Sequence, residues 1–313
     1  MITVAGEALM DVVVAPSGAA TAFAGGAPFN VARMIARLGG KCQFLGRISS
    51  DRFGTRLRTE LDRLGVRLAV PEPTAAPTTL AIAELDEEGI AEYTFYLDGT
   101  AAAQLELDAV APEILRDSQV IAFGGLGVVM EPIASSLREL ICQVPHGAMV
   151  VFDVNCRPGA ITDMAGYRRT VTELLAHAHI VKVSVEDMRV LAPGEDPGRA
   201  ARGLLDCGPA GILLTDGPNP VTAMTASYER SFPVPDAQVA DTVGAGDAFV
   251  AAFVVGWSER LLERGGLDPD DIARATEAAV PVATAACTVP GATLPDDLVW
   301  PHSEQSRASI AVN

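Results

Sequence analysis

Lysine is nearly missing from this chain. Of 313 residues only Lys41 and Lys182 carry an ammonium, so the basic charge is almost all arginine. That skew reads as genomic composition rather than as function. Basic residues number 23 against 40 acidic ones, a net charge of −17, which excludes non-specific binding to nucleic acid or to anionic membranes. A local basic phosphate site stays open. The five cysteines, at 42, 142, 156, 207 and 287, are odd in number and widely spaced, with no CxxC pair and no Cys/His cluster of zinc spacing. Reduced thiols in a cytoplasmic protein are the expectation. The four histidines, at 146, 177, 179 and 302, form no set, and solvated places on a helix are expected for His177 and His179. A Walker GxxxxGK[ST] loop is absent, because neither lysine follows one, and so is the Gly-x-Ser-x-Gly elbow of Ser/His/Asp hydrolases. No uncharged apolar run reaches the ~18–20 residues of a membrane span. "MITVAGEALMDVVV" lacks a basic n-region and reads as a first strand, not a signal peptide. The tail "PHSEQSRASIAVN" is expected to fray.

What is present is apolar and rhythmic. Hydrophobic residues make up 49%, enough for a large core and too many for disorder. The length suits one large α/β domain with an appendage, or two medium domains. "ITVAGEAL" reads as a buried strand ending in Gly6. "PFNVARMIARLGG" (28–40) and "DRFGTRLRTELDRLG" (51–65) carry apolar residues at helical spacing and end on glycine, with the strand "CQFLGRIS" between them. After residue 100 four apolar runs, "SQVIAFGG", "AMVVFDVN", "HIVKVSV" and "GILLTDG", alternate with helical patterns at 131–143, 166–177 and 196–207. This βα alternation predicts a parallel sheet covered on both faces. Ligands of such sheets bind beyond the carboxyl ends of the strands. The polar residues there are Glu7 and Asp11; Asp153, Asn155 and Arg157; Ser184, Glu186 and Asp187; Thr215, Asp216 and Gly217. Residues 79–97 break the rhythm with two strands around the turn "DEEG". Residues 11–25 are a candidate partner, and the small sheet so formed, unable to bury itself alone, suits a lid or a dimer contact.

Three segments carry candidate chemistry. In "DTVGAGDAFVAAFVVG" the small residues Gly244, Ala245 and Gly246 precede Asp247 and a run that predicts a buried helix. The first turn of such a helix offers unpaired N–H groups and the positive end of the dipole, and residues this small let an anion reach the backbone. A phosphoryl group is the natural ligand, with Asp247 at its edge to take a proton from an attacking hydroxyl. An N-terminal helix acid after a tight turn is the plainer reading, and Gly-x-Gly-Asp alone does not separate the two. "AGGAPFN" (24–30) is a second small-residue loop before a helix: a simple βα turn, or the holder of an acceptor. In "DVNCRPG" (153–159), Arg157 is either a surface residue before a proline turn or a fork for phosphate.

Together these segments resemble the ribokinase-like sugar kinases, the PfkB family. "AGGAPFNVARMIARLGGKCQFLGRISSDRFG" is similar to its N-terminal signature, and "DTVGAGDAF" to its C-terminal one, roughly 215 residues apart. The resemblance runs along essentially the whole chain. It implies a single kinase domain over 1–313: a doubly wound, mostly parallel sheet sandwiched by helices, with lid strands inserted at about 11–25 and 77–100. It implies transfer of the ATP γ-phosphoryl to a sugar hydroxyl, with Asp247 as general base and the backbone of 244–247 as anion hole. Asp11, Gly25, Gly26, Asn30, Tyr96 and Arg157 fall at sugar-binding places, and Asn155, Ser184, Thr215 and Gly217 at nucleotide-binding ones. Asp187 falls where the family organises Mg2+, indirectly. Asp241, Val243 and Gly291 fall where many members hold a monovalent cation, K+ being the expectation.

The chain departs from the family pattern twice. The N-x-x-E segment appears as "SVED", with Ser184 and Asp187 at its ends, and Pro220 enters "DGPNPV", where a second glycine is usual. "GEALMD" and "FYLDGTAAAQL" are most similar to fructokinases. Leu97 and Asp98 after Tyr96, where acid-sugar kinases carry an arginine, favour a neutral sugar. A 2-keto-3-deoxygluconate kinase, a ribokinase, a nucleoside kinase and a binding protein that has lost transfer are the alternatives. The expected partners are a sugar and ATP, with no nucleic acid, no membrane and a homodimer through the lid.

Overall fold

The computed structural model describes residues 1–88, 91–145, 147–264 and 268–300. The tail at 301–313, with His302, and also His146 and the last residue of the "DEEG" turn, lie outside the described residues. In chain order the strands are β1 (Ile2–Ala5), β2 (Leu9–Val14), β3 (Ala20–Gly25), β4 (Cys42–Leu45), β5 (Arg67–Leu68), β6 (Thr79–Leu85), β7 (Ala91–Tyr96), β8 (Val120–Gly124), β9 (Met149–Asp153), β10 (Ile180–Ser184), β11 (Gly211–Asp216), β12 (Asn219–Thr225) and β13 (Glu229–Phe232). The helices are α1 (Ala27–Arg37), α2 (Arg52–Arg63), α3 (Pro112–Arg116), α4 (Ile133–Cys142), α5 (Met164–Leu175), α6 (Val185–Leu191), α7 (Pro197–Gly203), α8 (Ala245–Arg264) and α9 (Pro269–Ala286).

Nine strands form one sheet in the order β13–β12–β11–β10–β9–β8–β1–β4–β5. From β11 to β5 every pairing is parallel. Side chains on neighbouring positions of these strands go to opposite cores. Val120, Ala122, Met149 and Val151 pack on one face, and Ile121, Phe123, Val150 and Phe152 on the other. That is why the strands read as unbroken apolar runs. The first strand stops at Gly6, as expected: β1 ends at Ala5, and Gly6, at φ 148°, turns the chain out of the large sheet before β2.

One edge is antiparallel, so the large sheet is mostly parallel, as expected. β12 and β13 run antiparallel to β11 and to each other. β13 exposes three of its four residues, so it lacks the apolar run that marks the buried strands. The helical pattern at 196–207 resolves into α7 followed by a 3-10 turn over Leu204–Cys207. His177 and His179 lie between α5 and β10 rather than on a helix; His177 is exposed, while the half-buried His179 ring accepts the Val150 N–H at 3.0 Å.

α8 is apolar around its whole circumference from Ala248 to Val255, and each of these side chains is at most 3% exposed. A helix of that kind has to be interior. It packs between α9 and α1, which fixes the direction in which its N-terminus points. The second sheet has the order β3–β2–β6–β7, with β2 and β6 parallel and the outer pairs antiparallel. It joins residues 9–25 to 79–96, as the sequence suggested.

Candidate active site

Parallel pairing carries the carboxyl ends of β1, β8, β9, β10 and β11 to one edge of the large sheet. Most of the candidate residues collect there. Asp247 stands in the first turn of α8 and is buried. Its Oδ2 accepts a 2.9 Å hydrogen bond from Asn30 Nδ2, across 217 residues of chain. The Asn30 Oδ1 accepts in turn from Arg33 Nη1 at 3.4 Å, and Arg33 pairs with Glu60 at 3.3 Å. The i, i+3 spacing on α1 puts Asn30 and Arg33 on one face, and the chain of contacts orients the carboxamide toward the acid. Burial pushes the Asp247 pKa up, opposed by the Asn30 hydrogen bond and the charges of Arg157 and Lys182.

Two more acids lie on the same side. Burial, reinforced by the charge of Asp247, pushes Asp11 up to about 6, while Arg157 pulls it down. Glu7, which accepts the Gly127 N–H at 2.9 Å, is pushed up to about 7 by burial. The glycines of the first loop fit around these two residues. A side chain at Gly25 would overlap the Asp11 carboxylate, and one at Gly26 would come within 2.8 Å of the Glu7 carbonyl oxygen. Gly26 also holds φ 100°, which side chains rarely adopt.

The second loop meets different chemistry. Gly244 has φ 80° and backs onto Ala292, where a Cβ would come within 2.7 Å. A Cβ on Gly246 would meet Lys182 Nζ at 3.3 Å. The Ala245 N–H reaches back to the Thr242 carbonyl at 3.3 Å, a long bond. Lys182 is buried, and its ammonium lies 3.1 Å from Asp153 Oδ1. That oxygen has no aligned hydrogen bond, so the contact is an ion pair. Burial works to lower the lysine's pKa, but the charges of Asp153, Asp187 and Asp247 outweigh it and hold it above its usual value. Asp153 is pushed up to about 6 by burial despite the lysine.

Asn155 is buried with φ 40°, a left-handed turn that Asn tolerates better than most residues. That turn brings the Cys156 N–H to Asp187 Oδ1 at 2.7 Å. The other Asp187 oxygen accepts the Ser184 N–H at 2.8 Å, and Ser184 Oγ accepts the Asp187 N–H at 3.0 Å. Ser-x-x-Asp is thus a capping box with the shorter acid. Ser184 pairs with Thr215 across β10 and β11, and Gly217, at φ 53°, makes the turn into β12, which holds Pro220. Asp241 Oδ1 accepts the Val243 N–H at 3.0 Å and Oδ2 the Gly291 N–H at 2.8 Å, so one carboxylate ties the two loops. Arg157 donates to the Cys156 carbonyl at 3.2 Å, and its charge acts on Glu7, Asp11 and Asp247. Tyr96 stands apart at the end of β7, 55% exposed. Its neighbour Phe95 faces inward, 3.4 Å from a Cβ placed on Gly159, and so seats the small sheet on the 157–160 turn.

A buried acid, a small-residue helix N-terminus and a second small-residue loop therefore converge on one sheet edge. Residues 1–298 match the pfkB family carbohydrate kinases. The chain belongs to that family. A probable fructokinase from Arabidopsis thaliana is 31% identical over 80% of this chain and 79% of its own. A fructokinase from Rhizobium leguminosarum bv. trifolii is 30% identical over 81% and 78%. Among solved structures, the fructokinase of Xylella fastidiosa with bound ATP superposes with a TM-score of 0.85 at 30% identity, covering 93% of both chains. The aminoimidazole riboside kinase of Salmonella enterica, complexed with aminoimidazole riboside and an ATP analogue, gives 0.82 at 27% identity over 94% and 97%.

This PfkB protein is an ATP-dependent carbohydrate kinase of the fructokinase-like kind. Its fold is the ribokinase-like one. Two of its buried charges escaped the sequence reading of the site. Glu7 stood among the strand-end residues but received no role. Lys182 was read as part of a compositional skew, yet a lone lysine inside "IVKVS", a strand buried on both faces, is a signal in itself. Among the described residues no three His, Cys, Asp or Glu side chains gather in metal-binding geometry. A magnesium ion brought by nucleotide phosphates fits such a site, because Mg2+ keeps most of its water and takes few protein ligands. Both Asp187 oxygens already hold backbone N–H groups, which suits a role through water. No helix among the described residues is long and apolar enough to cross a membrane.

Proposed function

We propose that the acceptor is fructose and that Asp247 is the general base that takes its hydroxyl proton. The observation that carries this reading is the Asn30–Asp247 hydrogen bond, which joins the first loop to the N-terminus of α8. A hydroxyl lying in the first loop is thereby within reach of the acid and of the helix terminus together. The hydroxyl oxygen attacks the γ-phosphorus as its proton passes to Asp247. The bond from that phosphorus to the β–γ bridging oxygen breaks, and ADP leaves with the electron pair. Such transfers depend on position and charge stabilisation more than on covalent chemistry. The backbone of 244–247 and the positive end of α8 meet the charge on the moving group.

Asp11, Asn30 and the backbone of Gly25 and Gly26 are the groups proposed to hold sugar hydroxyls, with Arg157 closing the site and Tyr96 approaching from the small sheet, which acts as a lid. Half-buried Asp11 favours a neutral sugar over an acidic one, because a carboxylate there would meet a further acid. Asn155, Ser184, Thr215 and Gly217 are proposed to contact the nucleotide. Asp187 would steady Mg2+ through water, and the metal, when bound, neutralises phosphate charge. Backbone oxygens of 241–243 and 291, on loops tied by Asp241, would hold K+. The exposed Phe23 and Tyr93 of the small sheet fit a homodimer contact. Five free cysteines fit a reducing cytoplasm.

ADP release with MgATP tests the substrate across fructose, ribose, 2-keto-3-deoxygluconate and a nucleoside. The highest kcat/KM is expected for fructose. A riboside or 2-keto-3-deoxygluconate turned over more efficiently would overturn that assignment and leave the kinase class standing.

A further inference from the structure

Lys182 is a charge that the reaction just described does not use. It stands in the middle of the large sheet, on β10, and is 5% exposed. Lysines are almost never buried this far without a strong reason. An ammonium has three N–H donors, and among the described residues only Asp153 lies within ion-pair distance of it. Charge balance points the same way. The charges of Asp153, Asp187 and Asp247 all act on Lys182, with Asp153 alone in direct contact. An acidic cluster of that kind repels a phosphoryl group unless a cation faces it directly.

Gly246 supplies the second observation. Its φ lies outside the left-handed region, so the backbone does not demand glycine there. What a side chain would meet is the Lys182 ammonium, at 3.3 Å. The missing Cβ leaves the ammonium in direct reach of the first turn of α8, where the anion is expected.

We propose that Lys182 is a catalytic residue of the transfer: its ammonium, fixed by Asp153 beside Gly246, contacts the non-bridging oxygens of the γ-phosphoryl group as it passes to the sugar. The lysine gives up no proton. The hydroxyl proton still goes to Asp247, and the P–O bond to ADP still breaks with its electron pair on ADP. Lys182 meets the charge on the moving group, which the helix terminus and the metal share. The proposal rests on reading the N-terminus of α8 as the phosphoryl site.

Two variants and one spectrum test it. Lys182→Met is expected to lower kcat about 100-fold, with KM for ATP and sugar within about 3-fold of the parent. In Lys182→Met/Asp153→Asn the stranded acid is neutralised as well. If Lys182 acts on the phosphoryl group, the double variant stays as slow as the single one. Recovery to within about 5-fold of the parent would show that the lysine only balances Asp153, and would overturn the proposal. Should either variant fail to fold, the parent protein still decides. With lysine labelled at 13Cε only two signals exist, from Lys41 and Lys182, and Lys41→Arg assigns them. Adding fructose, MgADP and tetrafluoroaluminate is expected to shift the Lys182 signal and the backbone amides of 245–247. Movement of the amides without Lys182 overturns the lysine's role alone. Movement of neither overturns the reading of α8 as well.

Discussion

The two small-residue loops of this kinase look alike in sequence and differ in what surrounds them. Gly25 and Gly26 open onto α1 and are packed against Asp11 and Glu7. Gly244 and Gly246 open onto α8 and are packed against Ala292 and an ammonium. The first loop therefore presents the Asp11 carboxylate and the Asn30 carboxamide, which suit neutral hydroxyls. The second presents a helix N-terminus and Lys182, which suit an anion. Glycine alone does not set the role of a loop; the sign of the charge behind it does. The Asn30–Asp247 hydrogen bond is the place where the two environments touch.

Removing the acid at that junction has the largest expected effect. Asp247→Ala is expected to lower kcat by about 10³-fold, within the range a general base supplies, with ATP affinity within a few-fold of the parent by calorimetry. Near-normal turnover would take the base away from Asp247. On the hydroxyl side, Asp11→Asn is expected to raise the KM for sugar by roughly 10-fold, the worth of a hydrogen bond to a charged group. The KM for ATP should hardly change, and an equal rise in both would blur the division between the loops.

The smallest effect concerns stability and pH. Glu7 has its pKa raised to about 7 from 4.5 by burial, so the folded state holds its proton more tightly than the unfolded one. The stability this provides is complete below about 4.5 and is lost as pH rises through about 7. Glu7→Gln is expected to flatten the fall in stability between those values, by on the order of 2 kcal/mol in urea melts at pH 5 and pH 8. Identical pH dependence in parent and variant would show that Glu7 ionises freely in its pocket.

Much of the fold was legible because both sheet faces are buried. Strands such as "AMVVFDVN" read as plain apolar runs, and α1 and α2 kept clean helical spacing. The antiparallel edge was not legible, because β13 exposes three of its four residues and carries no apolar pattern. Within the site, Asp247 and the two loops stood out through glycine next to charge. Asn30 could be named, but its bond to Asp247 joins positions 217 residues apart and depends on how α1 and α8 pack. The Ser184–Asp187 pair read as a shortened metal motif, and what the sequence did not show is that the shorter acid also closes a capping box and ties down the 153–157 turn. Lys182 was hidden by composition, since a scarce residue drew attention to its scarcity and not to its place.

The division of labour between the loops is tested most directly by a matched pair of variants, Gly25→Ala and Gly246→Ala. Both glycines have φ outside the left-handed region, so alanine adds a methyl with little backbone strain. The methyl at 25 meets the Asp11 carboxylate, and the methyl at 246 meets the Lys182 ammonium. Steady-state kinetics in both substrates should give crossed results. Gly25→Ala is expected to raise the KM for sugar with kcat and the KM for ATP close to the parent. Gly246→Ala is expected to lower kcat with the KM for sugar unchanged. If both variants raise the KM for sugar alone, or both lower kcat alone, the two loops do the same job and the assignment by charge is wrong.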